Sequence, residues 1–334
     1  MCIRDRCLDH EGKWHLRIAN SLELTADRAG LPLTEVPSLL ERASKKLFVA
    51  RSERTRPGRD EKILVSWNGL MIKAMSNAGR LIERPEFIES AHKAVEFIRT
   101  HMWKDGRLLA TAKGKKARLN AYLDDYVFLA EGVLELLQAR WNSEEFEFAI
   151  ELIEVLLNHF VDEQYGAFCF TSDDHEPLIT RTIPTHDDST PSANGVAAHL
   201  LIKLGYMTGE QRYLDVADKI LRAIQPAALH MPSSFGASLV AIEEMVNPGT
   251  YIVIRGARDE SRRWANACAK AGTANLMVFT IPDDAGELPG LLAEKKISDN
   301  TLTVAYVCCG FQCLAPHHSL DELLEAIPGR EHRQ

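Results

Sequence analysis

Several features that assign a chain to a class at a glance are missing from this one. No run of about 18 apolar residues occurs, which excludes a membrane-spanning helix. The opening "MCIRDRCLDHEGKWHLRIAN" has no apolar stretch of the kind a secretory signal needs. Positive charge is in the minority, with 39 Lys plus Arg against 47 Asp plus Glu and a net charge of −8. A nucleic-acid surface needs a net positive face to displace counterions, so that class of partner is excluded. No pair of cysteines stands two residues apart, and the seven cysteines (Cys2, Cys7, Cys169, Cys268, Cys308, Cys309 and Cys313) are odd in number and scattered. That pattern suits a reducing cytoplasm better than a disulfide framework. Cys309 and Cys313 have no second cluster to complete a zinc site, so no metal is expected. Gly256 follows an apolar run without the further glycines of a dinucleotide loop, so no cofactor is expected either.

What is present is enough apolar residues, 46% of 334, for a substantial core. Apolar residues recur three and four apart, as in Leu129, Val133, Leu136 and Leu137, and predict helices near 33–50, 62–82, 86–102, 122–140, 143–161, 191–207, 210–225 and 233–246. "RPEFIESA", "NSEEFEFA" and "GEQRYLDVA" repeat a polar start, an aromatic (Phe87, Phe146, Tyr213) and small residues, each after a longer apolar helix. Three helical hairpins, each of an inner and an outer helix, follow from that repeat. The long links, 105–125 and 163–188, contain short alternating runs that read as small β-hairpins beside helix starts, where functional groups concentrate. After Pro248 the pattern changes. "TYIVIRG", "NLMVFTIP" and "TLTVAYVC" read as strands, with helices at 258–272 and 285–294, which predicts a small parallel α/β unit over 249–315.

Polar and aromatic groups stand at the predicted inner-helix starts: Ser66-Trp67-Asn68-Gly69, Tyr122-Leu123-Asp124-Asp125-Tyr126, and His186-Asp187-Asp188 through Asn194. If the starts converge, Trp67, Tyr122 and Tyr126 can stack on a sugar ring. Asp124, Asp125, Asp187, Asp188 and His186 can then move protons, because glycosidic and carbon-acid chemistry needs an acid and a base on opposite sides of the substrate. Simpler roles compete: an Asp at a helix start caps it, Trp67 can be core, and the arginines at 51, 54, 56 and 59 can be a solvated run or an anion clamp. Cys308 and Cys313 read more readily as packing inside the α/β unit than as a redox pair.

Five stretches in order, "RPGRDEKILVSWNGLMIKAMSNAGR", "YLDDYVFLAEGVLELLQA", "DEQYGAFCFT", "DDSTPSANGVAAHLLIKL" and "AYVCCGFQCLAP", resemble the thioredoxin-domain-containing proteins of the spermatogenesis-associated, thioredoxin-like family. The resemblance runs from about residue 40 to 327. It implies a mainly α, (α/α)6 toroid of the six-hairpin glycosidase type, similar to N-acylglucosamine 2-epimerases and cellobiose epimerases, with a thioredoxin-like domain before it. Arg56, Asp60, Lys62, Trp67, Asn68 and Gly69 match the first motif, and Asp125 and Tyr126 the acidic-aromatic pair. Gly166 and Phe168 match a Gly-Gly-Phe turn in which Ala167 replaces the second glycine. Arg181, Asp188, Pro191, Ser192 and Asn194 match the next motif, and Cys308, Cys313 and Pro316 the last. Two departures accompany it: about eight helices are legible against about twelve for a closed ring, and the epimerases' histidine pair has no counterpart, since His186 and His199 stand outside matching motifs.

The expected organisation is a start at 1–32 that belongs to a truncated reading frame, toroid hairpins over 33–248, the α/β unit over 249–315, and a C-terminal helix and tail over 316–334. The expected function is acid/base chemistry on a sugar, epimerase-like or glycoside-hydrolase-like, in the cytoplasm. Asp125 and Asp188 are the expected catalytic pair, with Trp67, Asn68, Tyr126, Arg56, Arg181 and His186 binding substrate. The alternative is a non-catalytic binding module that partners the thioredoxin-like domain. A third reading is a purely structural toroid.

Overall fold

The structure, a computed structural model, describes residues 18–176, 178–271, 275–297 and 303–328. Cys2 and Cys7 lie outside them, as does most of the 1–32 start. The chain divides into two compact units between Asp60 and Glu61.

In the first unit, α1 (Leu22–Ala29) is opened by Ser21, whose hydroxyl accepts the Leu24 N–H, and closed by Gly30 in the left-handed conformation. Helix α2 (Val36–Ser52) carries Pro37 in its first turn, where a missing N–H costs nothing.

The second unit begins with β1 (Lys62–Leu64), α3 (Val65–Leu81) and α4 (Pro85–His101). Strands β2 (Trp103–Lys104), β3 (Arg107–Lys113) and β4 (Lys116–Asn120) follow, then α5 (Leu123–Ala139) and α6 (Ser143–His159). The short pair β5 (Val161–Asp162) and β6 (Ala167–Phe168) precedes α7 (Ala193–Thr208), α8 (Gln211–His230) and α9 (Gly236–Val246). Helices α3/α4, α5/α6 and α7/α8 are hairpins, and α3, α5, α7 and α9 stand side by side in that order. The unit is mainly α and built of helical hairpins. The predicted links are present as β-structure: β3 pairs antiparallel with β1, β2 and β4, and β5 with β6.

The inner and outer helices differ for a plain reason. Helices α5 and α7 have neighbours on both flanks and are buried almost all round, from Leu123 to Gln138 and from Ala193 to Thr208. Helices α4 and α8 bury one stripe only, such as Ala91, Val95 and Ile98 on α4, as solvent-facing helices do. Ion pairs also stitch the inner helices together: Lys73 with Glu131 at 2.6 Å and Arg80 with Glu135 at 3.0 Å join α3 to α5.

The last part holds β7 (Thr250–Arg255), α10 (Arg258–Ala271), β8 (Leu276–Thr280), β9 (Val304–Cys309), β10 (Gln312–Cys313) and α11 (Leu320–Glu325). The sheet order is β10-β9-β7-β8. All six residues of β7 are buried because both its faces are covered. Ile252 and Ile254 face a core with Trp264, Cys268 and Leu323, while Tyr251 and Val253 join the helical core. The expected parallel sheet is corrected. Strands β7 and β8 are parallel around the α10 crossover, but β9 runs antiparallel to β7. A parallel return needs a covering crossover, and the helix expected at 285–294 is a single 3-10 turn, Gly290–Glu294. Pro289 and Gly290, the latter at φ 50°, stop an α-helix there. Cys308 and Cys313 do not simply pack: they form a disulfide across β9 and β10. Among the described residues no helix is long and apolar enough to cross a membrane.

Candidate functional site

One run of hydrogen bonds ties the starts of the inner helices together. Asp125, 4% exposed, accepts the Ser66 N–H of α3 on one oxygen at 2.8 Å and the Tyr122 N–H on the other at 3.0 Å. It thus caps α5 and pins α3 to it. Leu123 N–H donates to the Phe170 carbonyl at 2.9 Å, and Phe170 N–H to the Thr182 carbonyl at 2.7 Å. Asn194, in the first turn of α7, donates to the carbonyls of Phe168 and Pro184 and accepts from Phe168 N–H. Asp187 accepts the Ser192 N–H at 2.8 Å and the Ala237 N–H at 3.1 Å, linking the starts of α7 and α9. The starts of α3, α5, α7 and α9 therefore share one end of the unit.

The expected site residues separate into groups there. Trp67 lies in the first turn of α3 and is 66% exposed. His186 and Asp188 are exposed in the segment that leads into α7. Asn68 is engaged locally, its side-chain amide donating to the Leu64 carbonyl at 2.7 Å. Arg181 is a structural tie: Nε and Nη2 donate to the Thr171 carbonyl and Nη2 also to the His159 carbonyl. The role expected of Tyr126 is corrected. Its ring is 1% exposed, packed edge-on against Phe160 with its hydroxyl accepting the Leu108 N–H, so no face is open to a ligand. Arg56 lies in the first unit, with Nη2 donating to Ser52 Oγ at 3.1 Å.

Two neighbours in the sequence carry more than their spacing suggested. Asp124 is half-buried, and its pKa is pushed up to about 6, first by burial and then by the charge of Asp125, against its own backbone amide. Burial also pushes Asp125 up, opposed by the Tyr122 and Ser66 amides. Tyr122 presents an aromatic surface at the same place, stacked on Phe170 with centroids 4.8 Å apart and tilted toward His175 at 5.7 Å. The double acid "DD" was the visible signal. Which of the two would pin a second helix and which would be held only by its own amide depends on where α3 lies.

Among the described residues, His159, Asp173 and Asp174 are the set whose ligand atoms come within 4.8 Å of one another. Arg107 already holds both Asp174 oxygens and His159 bonds Asp173 at 2.9 Å, which describes an ion-pair cluster. A cavity of about 800 Å³ opens at the far ends of α3 and α5, lined by Arg80, Gln138, Trp141, Arg258, Arg262 and Asp283. It is not at the inner-helix starts.

Removing the Asp125 carboxylate tests the cap. Asp125→Ala is expected to lower the melting temperature at pH 7.5 by an amount matching about 1–2 kcal/mol, since two backbone donors lose their acceptor. Asp125→Asn, which keeps an acceptor, is expected to lose less by the same differential scanning measurement.

This geometry defines a helical-hairpin protein whose inner-helix starts bring polar and aromatic groups to one end. The chain matches no family model. It is homologous to proteins named spermatogenesis-associated protein 20. The human one is 29% identical over 324 residues, covering 92% of this chain and 41% of that protein. The rat one is 32% identical over 253 residues, covering 71% of this chain and 31% of that protein. The chain thus spans less than half the length of these relatives. Among solved structures, a D-mannose isomerase is similar at 17% identity, covering 49% of this chain and 42% of that one, with a TM-score of 0.40. A cellobiose 2-epimerase from Bacillus thermoamylovorans shows 12% identity, 50% and 46% coverage and a TM-score of 0.41. An inactive variant of an α-1,6-mannanase from a Salegentibacter species, in complex with α-1,6-mannotriose, shows 20% identity, 61% and 57% coverage and a TM-score of 0.40.

Proposed function

We propose that the mouth at the inner-helix starts is a sugar-binding cleft with acid/base chemistry of an epimerase-like or glycoside-hydrolase-like kind. Asp124 is the observation that carries the reading. A half-buried carboxyl group whose pKa is pushed up to about 6 holds its proton into mildly acidic pH and leaves a protonated fraction near neutrality for an acid catalyst to give. It takes the acid role that spacing suggested for Asp125, because both Asp125 oxygens are occupied by backbone amides. Asp188 is the base in this reading, exposed on the segment that enters α7. Trp67 supplies the stacking face, with Tyr122 beside the acid, and His186 a polar contact. Asp125, Asn68 and Arg181 hold the frame.

The reading is tested with a panel of mono- and oligosaccharides, neutral and uronic, followed by thermal shift and tryptophan fluorescence. A sugar that raises the melting temperature is expected, with affinity weakened about 10-fold or more in Trp67→Ala, as loss of a stacked ring implies. No shift across the panel, or a shift indifferent to both Trp67→Ala and Asp124→Asn, overturns it.

The second reading is a non-catalytic binding module. Its support is that Asp125 and Arg181, two of the expected functional groups, are spent on backbone partners. It differs by binding a sugar without turning it over. In either reading we place the chain in the cytoplasm, as one part of a longer protein with a thioredoxin-like domain. The resemblance in the sequence and the 41% coverage of the human relative support that arrangement.

A further inference from the structure

Lys295 is an unusual residue for the edge of a small sheet. Only 5% of it is exposed, yet its ammonium has no carboxylate within ion-pair distance among the described residues. Its hydrogen bond goes to Cys313 Sγ at 3.1 Å, and it lies over the Tyr306 ring at 5.5 Å. Burial pulls its pKa below the usual lysine range, with Glu294 opposing. A disulfide sulfur is a weak, neutral acceptor, so a buried cation is poorly compensated by it. A thiolate at the same atom would be a full counter-charge. The two sulfurs are also unequal. Cys308 is fully buried in β9, whereas Cys313 is exposed on β10, across a hairpin turned by Gly310 at φ 55°. The other groups that face Cys313 Sγ or the Lys295 ammonium are the Tyr251 hydroxyl, 4.0 Å from the sulfur, and Tyr306 under the ammonium; Glu294 is the chain neighbour of Lys295. Arg255 donates to the Lys295 carbonyl, away from the sulfur.

We propose that Cys308 and Cys313 form a redox-active dithiol/disulfide site, with Cys313 as the attacking sulfur, Cys308 as the resolving one, and Lys295 as the cation that stabilises the Cys313 thiolate. Its substrates are thiols and disulfides of the glutathione kind or on a protein surface. In the reduced protein the Cys313 thiolate attacks one sulfur of an external disulfide RSSR. A Cys313–SR bond forms, the S–S bond of RSSR breaks, and RS⁻ leaves and takes a proton from water. The Cys308 thiol then gives its proton to solvent, and its thiolate attacks Cys313 Sγ. That step re-forms the Cys308–Cys313 bond and expels the second RS⁻. The two cysteines lose two electrons and RSSR gains two, to become two RSH. Reduction of the site by two thiols is the reverse. A sulfur beside a cation on an exposed residue, backed by a buried partner, is the arrangement that reactive dithiols need. In a reducing compartment a disulfide of this kind is transient, which reconciles it with the scattered free cysteines. The proposal does not depend on the sugar reading.

The test uses the full chain. It is equilibrated at pH 7 with mixtures of reduced and oxidised glutathione, acid-quenched, labelled with a maleimide and mapped by mass spectrometry. Reversible opening of the Cys308–Cys313 bond without denaturant is expected. In the reduced protein, Cys313 is expected to react with iodoacetamide about 10-fold or more faster than Cys309, the exposed cysteine outside the disulfide among the described residues. Lys295→Met is expected to remove that advantage, and Lys295→Arg to keep most of it. In case Lys295→Met does not fold, thiolate absorbance is titrated on reduced protein in which every cysteine but Cys313 is replaced by Ser, with a midpoint expected below the roughly 8.5 of an ordinary thiol. A bond that stays closed in every glutathione mixture, a Cys313 no faster than Cys309, or a midpoint at or above the ordinary value overturns the proposal.

Discussion

Asp124→Asn protein is expected to melt higher than the parent at pH 7.5 and level with it near pH 4. The folded-state pKa of Asp124, about 6, lies above its ordinary value of 3.8. Between those two values the folded chain binds more protons than the unfolded chain. Stability linked to this group is therefore fully present below about pH 4 and lost as pH rises through about 6. The loss at neutral pH is about 1–2 kcal/mol once the solvent that reaches a half-buried carboxyl is allowed for, or roughly 2–6 °C in a chain of this size. Asparagine carries no charge to desolvate, so the variant escapes the loss. Calorimetry at a series of pH values reads both curves. A variant that melts lower at pH 7.5 would show that Asp124 acts as a helix-start charge with no burial penalty. For a sugar substrate turned over at the mouth, the same substitution is expected to cut kcat by about 100-fold or more, the usual worth of a general acid. Higher stability with lower activity is the signature of a strained functional carboxyl group.

Gly69→Ala is expected to unfold the helical wall or cost it about 3 kcal/mol or more. A Cβ built on Gly69 would stand 2.5 Å from the Phe128 carbonyl carbon and 2.6 Å from the Leu129 nitrogen, both backbone atoms of α5. One on Gly132 would stand 2.6 Å from the Gly69 carbonyl oxygen. The two glycines are what lets α3 and α5 cross backbone to backbone, so neither a rotamer change nor a flexible tip can absorb a methyl group. Gly58→Ala is the control. A Cβ there meets nothing within 4 Å, and the variant is expected within about 0.5 kcal/mol of the parent. Denaturant melts of the three proteins check this. A Gly69→Ala protein as stable as the control would mean that the helices can separate without loss.

Much of this chain is legible from local pattern. Periodicity located α3 to α9 within a few residues, because a helix flanked by neighbours must repeat its apolar positions every three to four residues whatever its partners are. The unbroken apolar run of β7 marked a strand covered on both faces. Glycine, tryptophan and acids at helix starts marked the end at which the starts of α3, α5, α7 and α9 meet. The double acid at 124 and 125 was visible, but its division of labour was not. Asp125 reaches the Ser66 amide, 59 residues away in the chain, and only the crossing of α3 over α5 decides which carboxylate gains a donor from a second helix. Tyr126 looked like a platform from its place in the first turn, yet that position of α5 faces Phe160 and the Leu108 amide. The helix that a parallel crossover requires is a 3-10 turn at Gly290–Glu294, and β9 pairs antiparallel with β7. Cys308 and Cys313 met because that antiparallel turn sets them opposite each other. Local sequence determined the elements and their faces, since these depend on neighbours a few bonds away. Tertiary structure decided the partners, and with them the pKa of Asp124 and the pairing of the cysteines, since burial and charge are set by groups that are distant in the chain.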